Sequence, residues 1–238
     1  MFLLTVSLSF TYSLDGAWHH RLWIVDRFVI DYESELSLCK EFLTADQRNF
    51  HCWNYRRAVF QRSGLQPSSE LDFCLDKIQE NFSNYSAFHH RSIYIKYAEM
   101  SMQEIFDSEW PLIENAVYTE PDDQSAWWYY QFLVTLAHGH IADAEDAQEY
   151  VQWLQSVLTR HMEVLLGLIE VEETSRWPHM ILVFLIDMLL SPQCRPVLNE
   201  EEIGKLTEDR EKYLVKLIEL DPIHEQRYRF LLDHNAAV

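Results

Sequence analysis

The feature that most constrains this chain is an internal repeat with a period of 35 residues. The stretches GAWHHRLWIVDRF, HCWNYRRAVFQRS and SAFHHRSIYIKYA begin at positions 16, 51 and 86 and align without gaps. Each carries a large aromatic residue at its third position and an arginine three residues later, which gives two rows: Trp18, Trp53 and Phe88, then Arg21, Arg56 and Arg91. A fixed period of this length is typical of stacked structural units, so each residue is interpreted first by its place in the unit.

The segment before each of these stretches repeats as well, so a unit has two parts. Three apolar positions in the first part recur at the same step, Leu36, Cys39 and Leu43 becoming Leu71, Cys74 and Ile78. Their spacing of i, i+3, i+7 is helical, and Trp53, Arg57 and Phe60 form a matching i, i+4, i+7 row in the second part. The sequence therefore predicts two helices per unit, joined by a turn whose Asp, Asn and Ser residues cap the helix that follows.

A fourth copy follows after a four-residue insertion. Trp127, in DDQSAWWYYQFLV, lies 39 residues after Phe88, and Tyr130 replaces the arginine of the earlier copies. The stretches SRWPHMILVFLIDML and DPIHEQRYRFLLDH are read as degenerate fifth and sixth copies. Since no strand pattern competes, the predicted fold class is all-α: an alpha-alpha superhelix, a tetratricopeptide-like solenoid of antiparallel helical hairpins.

Composition excludes several classes of protein. Residues up to Tyr97 include 10 Lys and Arg against 11 Asp and Glu, whereas the rest include 9 against 27, and the net charge of the chain is −19. Such a surface repels phosphate backbones, so no nucleic-acid partner is expected. The apolar run near the start is too short to cross a bilayer, so no membrane span is predicted. Four cysteines without a C-x-x-C pair favour reduced core thiols and a cytoplasmic location.

The repeated arginines and aromatic residues each have two interpretations. Arg21, Arg56 and Arg91 either bind a carboxylate or carbonyl of the neighbouring hairpin, or line a shared face that binds an anion such as phosphate; repetition favours the first. Arg57 has no counterpart in the other copies, and for it the second interpretation is stronger. The large rings at Trp18, Trp53, Phe88 and Trp127 are predicted to form the core between units rather than a lipid-binding wall.

Histidine spacing gives no indication of a metal site. The histidines fall in close pairs, His19 and His20, His89 and His90, His138 and His140, and adjacent residues on a helix point about 100° apart. His51 stands at the predicted start of a helix, where it is either a partly exposed turn residue or a donor to an anion. The sequence contains no P-loop, nucleophile-elbow or dinucleotide-binding pattern, which points to a scaffold or a subunit.

At this point the blocks NFHCWNYRR, NYSAFHHRS and DDQSAW resemble the repeats of protein prenyltransferase alpha subunits, most closely those of the Rab geranylgeranyltransferase (type II) branch. The resemblance implies a member of a heterodimer whose beta subunit holds the lipid and a catalytic zinc, so no cofactor is expected on this chain. It also implies transfer of geranylgeranyl from geranylgeranyl diphosphate to C-terminal cysteines of Rab GTPases, which a Rab escort protein presents.

The resemblance places two residues beside the diphosphate or the substrate. His51 matches a family histidine two residues before the second tryptophan, and Phe50 matches the aromatic residue before it. Arg57 is taken as a further substrate-proximal residue. The family has a lysine five residues before the first tryptophan, where this chain has Ser13, and the tyrosine two residues after that lysine is replaced by Asp15.

The similarity begins at Gly16, which sets the predicted domain organisation. Residues 1–15 form an atypical N-terminal segment, consistent with an alternative start, and residues 16–238 a single helical-repeat domain without the family's upstream hairpins. Two alternatives to an active subunit stay open: a tetratricopeptide-like scaffold without chemistry, and a truncated inactive family member. Tetratricopeptide repeats have a period of 34 residues with small residues at helix crossings, whereas this chain has a period of 35 and only 5 glycines.

Overall fold

The computed structural model describes residues 15–28 and 31–234, and within them the regular structure is helical, without a strand. Short 3₁₀ turns extend or link several of the helices. The helices are α1 Asp15–Val25, α2 Tyr32–Ala45, α3 Phe50–Ser63, α4 Pro67–Glu80, α5 Tyr85–Tyr94, α6 Met102–Thr119, α7 Gln124–Gly139, α8 Ala147–Val171, α9 Arg176–Leu189, α10 Glu200–Leu220 and α11 Glu225–Asp233.

The described residues fall into two compact units, one up to Glu99 and one from Met100 onward. In the first, α2 pairs with α3 and α4 with α5, while α1 packs on α3 and α3 contacts α5. In the second, α6 pairs with α7, α8 with α9 and α10 with α11, and α9 also packs on α7 and α10. The predicted all-α stack of antiparallel hairpins is confirmed; whether residues 16–238 form a single domain stays a prediction.

The turns inside the hairpins end in capping residues, as predicted. The Asn49 side chain accepts a hydrogen bond from the backbone N–H of Cys52 at 3.0 Å, and the Asn84 side chain accepts one from Ala87 at 3.1 Å. Asp123 does the same for Ser125 at 2.8 Å. Each cap satisfies a backbone donor that the first helical turn leaves without an intrahelical acceptor, which fixes where the second helix of the hairpin begins.

The core is built from the repeated apolar positions. Trp18, Trp53, Phe88 and Trp127 are all 3% exposed or less. The Trp18 ring meets Phe42 edge-on at 5.5 Å between centroids, and the Trp53 ring lies 5.7 Å from Phe73. Cys39, Cys52, Cys74 and Cys194 are buried and free of disulfides. No helix among the described residues is long and apolar enough to cross a membrane.

Candidate functional site

A cleft of about 120 Å³ opens between α1 and α3, and it contains the predicted site histidine. Its walls are Trp18, His19 and Leu22 from α1, and His51, Asn54 and Tyr55 from α3. Because α3 begins at Phe50 behind the Asn49 cap, His51 is held in the first turn of the helix. The positive end of the helix and an imidazole N–H together favour an anion at this edge of the cleft.

Phe50 precedes His51 and faces outward. Its side chain is 62% exposed, and its ring centroid lies 3.8 Å from that of His51 at an interplanar angle of 36°. An exposed ring of this size at a helix start offers an apolar surface next to a polar one. The structure thus brings Phe50 and His51 together at the mouth of the cleft. Ser13, where the family lysine would stand, lies outside the described residues.

The repeated arginines bind glutamates of the next hairpin and carbonyls of their own hairpin. Arg21 makes two hydrogen bonds to the Glu35 carboxylate, at 2.7 and 2.8 Å. Arg56 repeats this with Glu70, with 2.9 Å between Nε and Oε2, and also donates to the carbonyl of Leu36. Ion pairs from an arginine to a carboxylate of the neighbouring hairpin are what the first interpretation of the repeated arginines predicts.

Each of these glutamates has a second donor, which lies 20 residues further along the chain. The Tyr55 hydroxyl donates to Glu35 at 2.6 Å, and the Nε2 atom of His90 bonds to Glu70 at 2.7 Å. In the fourth copy the Tyr129 hydroxyl donates to Glu109 at 2.8 Å, again over 20 residues. Glu35, Glu70 and Glu109 are 3% exposed or less, so each of these three hairpins encloses a buried carboxylate.

The carboxylate at Glu70 is held in its charged form. Burial acts to raise its pKa, but hydrogen bonds from His90 and Arg56 and the charge of Arg56 lower the pKa below the ordinary value of 4.5. Sequence reasoning missed these glutamates and their tyrosine or histidine donors. The signal was present, since Glu35, Glu70 and Glu109 recur at steps of 35 and 39 residues, but the donor changes from Tyr to His and back.

Arg91 belongs to the same row, and Arg57 does not. Arg91 donates to the carbonyl of Leu71, as Arg56 does to Leu36 one period earlier. Arg57 is partly buried, and its Nε atom is buried without an acceptor among the described residues. It lies one turn before Phe60, whose ring meets Tyr94 of α5 at 5.0 Å, and is thus on the α5 side of α3. Burial lowers the pKa of His89 on α5, and the charge of Arg57 lowers it further. Arg57 therefore does not line the His51 cleft.

Where the fourth copy has Tyr130 in place of the arginine, the buried charge pair is replaced by a neutral one. The Tyr130 hydroxyl and the Nδ1 atom of His161 are 2.8 Å apart. The His161 ring stacks on Trp110 with centroids 3.5 Å apart and 9° between the planes. Burial, with a smaller effect of Arg160, lowers the pKa of His161 to about 3, so the imidazole is neutral at physiological pH.

Among residues 15–28 and 31–234, no group of three or more His, Cys, Asp or Glu side chains is arranged to hold a metal ion. The histidine pairs separate as their helical spacing predicts: His89 stacks on Tyr85 at 6.0 Å, while His90 turns inward to Glu70. His19 lines the cleft, whereas the neighbouring His20 is exposed and stacks on Trp23 at 5.9 Å.

Comparison with known proteins identifies the hairpins. The sequence pattern described as "Protein prenyltransferase alpha subunit repeat" matches residues 32–63, 67–98 and 106–137. The first match coincides with α2 and α3, the second with α4, α5 and the 3₁₀ turn that follows, and the third begins inside α6 and ends in α7. The family's unit of repetition is thus the hairpin seen here.

Several relatives share one description, "Geranylgeranyl transferase type-2 subunit alpha". The protein from Saccharomyces cerevisiae is 31% identical over 236 residues, which cover 92% of this chain and 68% of that protein. The protein from Dictyostelium discoideum is 34% identical over 219 residues, covering 90% and 63%. The protein from Rattus norvegicus is 40% identical over 135 residues, which cover 52% of this chain and only 24% of that protein.

Among solved structures, Candida albicans protein geranylgeranyltransferase-I complexed with GGPP is similar at 15% identity and a TM-score of 0.45, over 99% of this chain and 83% of that one. That likeness is too weak to carry an argument. The three matched repeats and the yeast relative do carry one, because the relative is spanned over more than two thirds of its length. The chain therefore belongs to the protein prenyltransferase alpha subunit family, as its repeats predicted, and type-2 geranylgeranyl transferase alpha subunits are among its relatives.

Proposed function

We propose that this chain is the alpha subunit of a Rab geranylgeranyltransferase, which transfers geranylgeranyl from geranylgeranyl diphosphate to C-terminal cysteines of Rab GTPases. The observation that carries the proposal is the match to the yeast type-2 alpha subunit along 92% of the chain. The chain spans about a quarter of the length of the mammalian relatives. The activity of the whole enzyme is therefore proposed for this chain and its partners.

The chemistry would be divided between two chains. A beta subunit would bind the isoprenoid and hold a zinc ion, which supplies the thiolate form of the Rab cysteine. This chain would contribute at the diphosphate, where His51 and the N-terminal end of α3 face developing negative charge with donors already in position. The exposed Phe50 ring would cover the apolar side of the same edge, next to the first isoprene unit.

The other partners follow from the same assignment. A Rab escort protein would present the Rab to the complex, and the strongly acidic part of the chain after Tyr97 is available either for that contact or as a solvated face. The four free buried thiols support a cytoplasmic location. No nucleic acid is expected to bind, because the net charge is −19.

The proposal is tested by co-expressing the chain with the yeast type-2 beta subunit. We expect a complex to co-purify with zinc and to transfer labelled geranylgeranyl to a Rab only when an escort protein is present. A chain that stays a monomer would support the scaffold alternative. A stable complex without transfer would support the inactive family member.

His51 is tested in the same assay with the variant His51→Ser. Serine is a conservative choice because Ser86 occupies the equivalent position one period later, at the start of α5. We expect turnover to fall by about ten-fold or more, in the direction seen when a donor to developing charge is removed. The control is His20→Ser, which removes an exposed histidine of α1 that does not line the cleft. Equal turnover for the two variants would refute a role for His51.

A further inference from the structure

Arg57 is a partly buried cation without a partner in a chain that pairs its other inner arginines. On the same helix, Arg56 binds Glu70, and Arg62 binds Asp26 with 2.6 Å between Nε and Oδ1. The Nε atom of Arg57, by contrast, is buried and has no acceptor among the residues that the structure describes. A buried donor without an acceptor is costly, and more so when it carries charge.

Arg57 lies on α3, and α3 packs against α5 as α1 packs against α3 at the His51 cleft one unit earlier. One period after the cleft residues Leu22, His51 and Asn54 come Arg57, Ser86 and His89. Arginine thus stands where the preceding unit has leucine, and serine where it has histidine. The His51 cleft has its polar group at the start of α3, whereas the contact between α3 and α5 has a cation on α3, two turns after that start.

A second buried group near the contact between α3 and α5 also lacks a partner. Tyr94 is 5% exposed, and its hydroxyl forms no hydrogen bond within the described residues. The Tyr94 ring meets Phe60 of α3 edge-on with 5.0 Å between centroids, and Arg57 lies one turn before Phe60 on the same face of that helix. In agreement with this position, the charge of Arg57 opposes the rise that burial causes in the pKa of Tyr94. His90 is committed to Glu70 through Nε2, and its buried Nδ1 can take a hydrogen bond from a water that accompanies a ligand.

We infer that Arg57 and Tyr94 form an oxyanion-binding site between α3 and α5, separate from the His51 cleft. A guanidinium and a hydroxyl are both donors to a charged oxygen, and an arginine can engage two oxygens of one phosphate or carboxylate. The anion would come either from a phosphate-bearing small molecule or from a carboxylate of the beta subunit. Only the second source rests on the function proposed above.

The test uses Arg57→Leu in the full chain, which introduces the residue that the preceding unit carries at Leu22. The matched control is Arg62→Leu, which removes a cation of the same helix that already has a carboxylate partner. Calorimetric titration with inorganic pyrophosphate measures binding to each purified chain. A second measurement compares the salt dependence and the dissociation constant of the complex with the beta subunit.

If the anion is a small phosphate, Arg57→Leu weakens pyrophosphate binding by about ten-fold or more and Arg62→Leu leaves it unchanged. If the anion is a partner carboxylate, pyrophosphate does not bind, and Arg57→Leu weakens assembly by about the same factor and flattens its salt dependence. Equal behaviour of Arg57→Leu and wild type in both measurements overturns the inference, whether or not the wild-type chain assembles.

Thermal unfolding separates binding from a structural role. Since the Nε atom of Arg57 has no described acceptor, Arg57→Leu should leave Tm unchanged or raise it by a few degrees. Arg56→Leu, which leaves Glu70 buried without its cation, should lower Tm by about 10 °C. A similar loss in Arg57→Leu would show that Arg57 supports the fold, and the inference would be wrong.

Discussion

Removing the Glu70 carboxylate should be among the most damaging single changes to the first compact unit. Glu70 is 1% exposed and accepts hydrogen bonds from Arg56 and His90, which are themselves 5% and 0% exposed. Glu70→Ala leaves a buried guanidinium without its counter-charge. Losing one partner of a buried ion pair costs about 3–5 kcal/mol, a large part of the stability of a domain of this size.

The matched control lies on the same helix. Asp76 also forms an ion pair, with Lys40 at 3.9 Å, but both side chains are more than half exposed. Asp76→Ala should therefore change the free energy of unfolding by about 0.5 kcal/mol or less. A double variant, Glu70→Leu with Arg56→Leu, should recover much of the loss, because it removes both buried charges; the lost bond from Arg56 to the Leu36 carbonyl limits the recovery.

The assay is native-state hydrogen exchange of peptides from α3, α4 and α5, with urea as the perturbant, because it reports on this unit separately from residues after Glu99. The pH dependence is a second readout. The pKa of Glu70 is lowered in the fold, so its stabilisation is present above about pH 4.5 and is lost as the pH falls through the folded value. A loss in Glu70→Ala no larger than in Asp76→Ala would refute the view that these carboxylates hold the hairpins together.

Three further predictions concern other parts of the chain. His161 has a pKa of about 3 in the fold, below its ordinary 6.5, so the second unit should lose stability progressively as the pH falls between those values. In unfolding experiments at different pH, His161→Gln should reduce the slope of the free energy of unfolding against pH by up to one proton. Trp127→Leu, at a site with 0% exposure, should lower the free energy of unfolding by about 3 kcal/mol in urea titrations, whereas Trp128→Leu, 45% exposed, should have little effect. Ser13→Lys should raise turnover of the complex with a beta subunit by about 10²-fold or more if the family lysine acts on the diphosphate; unchanged turnover would contradict that role.

The hairpins could be predicted from sequence because the period constrains many residues at once. Once Trp18, Trp53 and Phe88 are aligned, the helical rows and the capping asparagines follow at fixed offsets. Burial of the aromatic row follows too, since a large ring at the same helical position in every unit has only the neighbouring unit to pack against.

The partners of the arginines could not be predicted in the same way. A period fixes where Arg56 lies in its unit, but its carboxylate is 14 residues ahead on a different helix, which also carries Asp72 and Asp76. The second donor to the glutamate differs between copies, because it is Tyr55 in one and His90 in the next, so a search for identical residues does not find it. The packed helices show that the Tyr55 phenol and the His90 imidazole each form a hydrogen bond with the buried glutamate of their hairpin.

The spacing of these buried carboxylates limits how such a chain can change in length. Glu35 and Tyr55, Glu70 and His90, and Glu109 and Tyr129 are all 20 residues apart, although the third pair comes after the four-residue insertion. The insertion therefore lies between hairpins, where connecting chain can absorb it, and not inside one. Gene rearrangements that add or delete a whole period should keep every donor opposite its acceptor, whereas a single-residue deletion inside a hairpin would turn a buried carboxylate away from its donor.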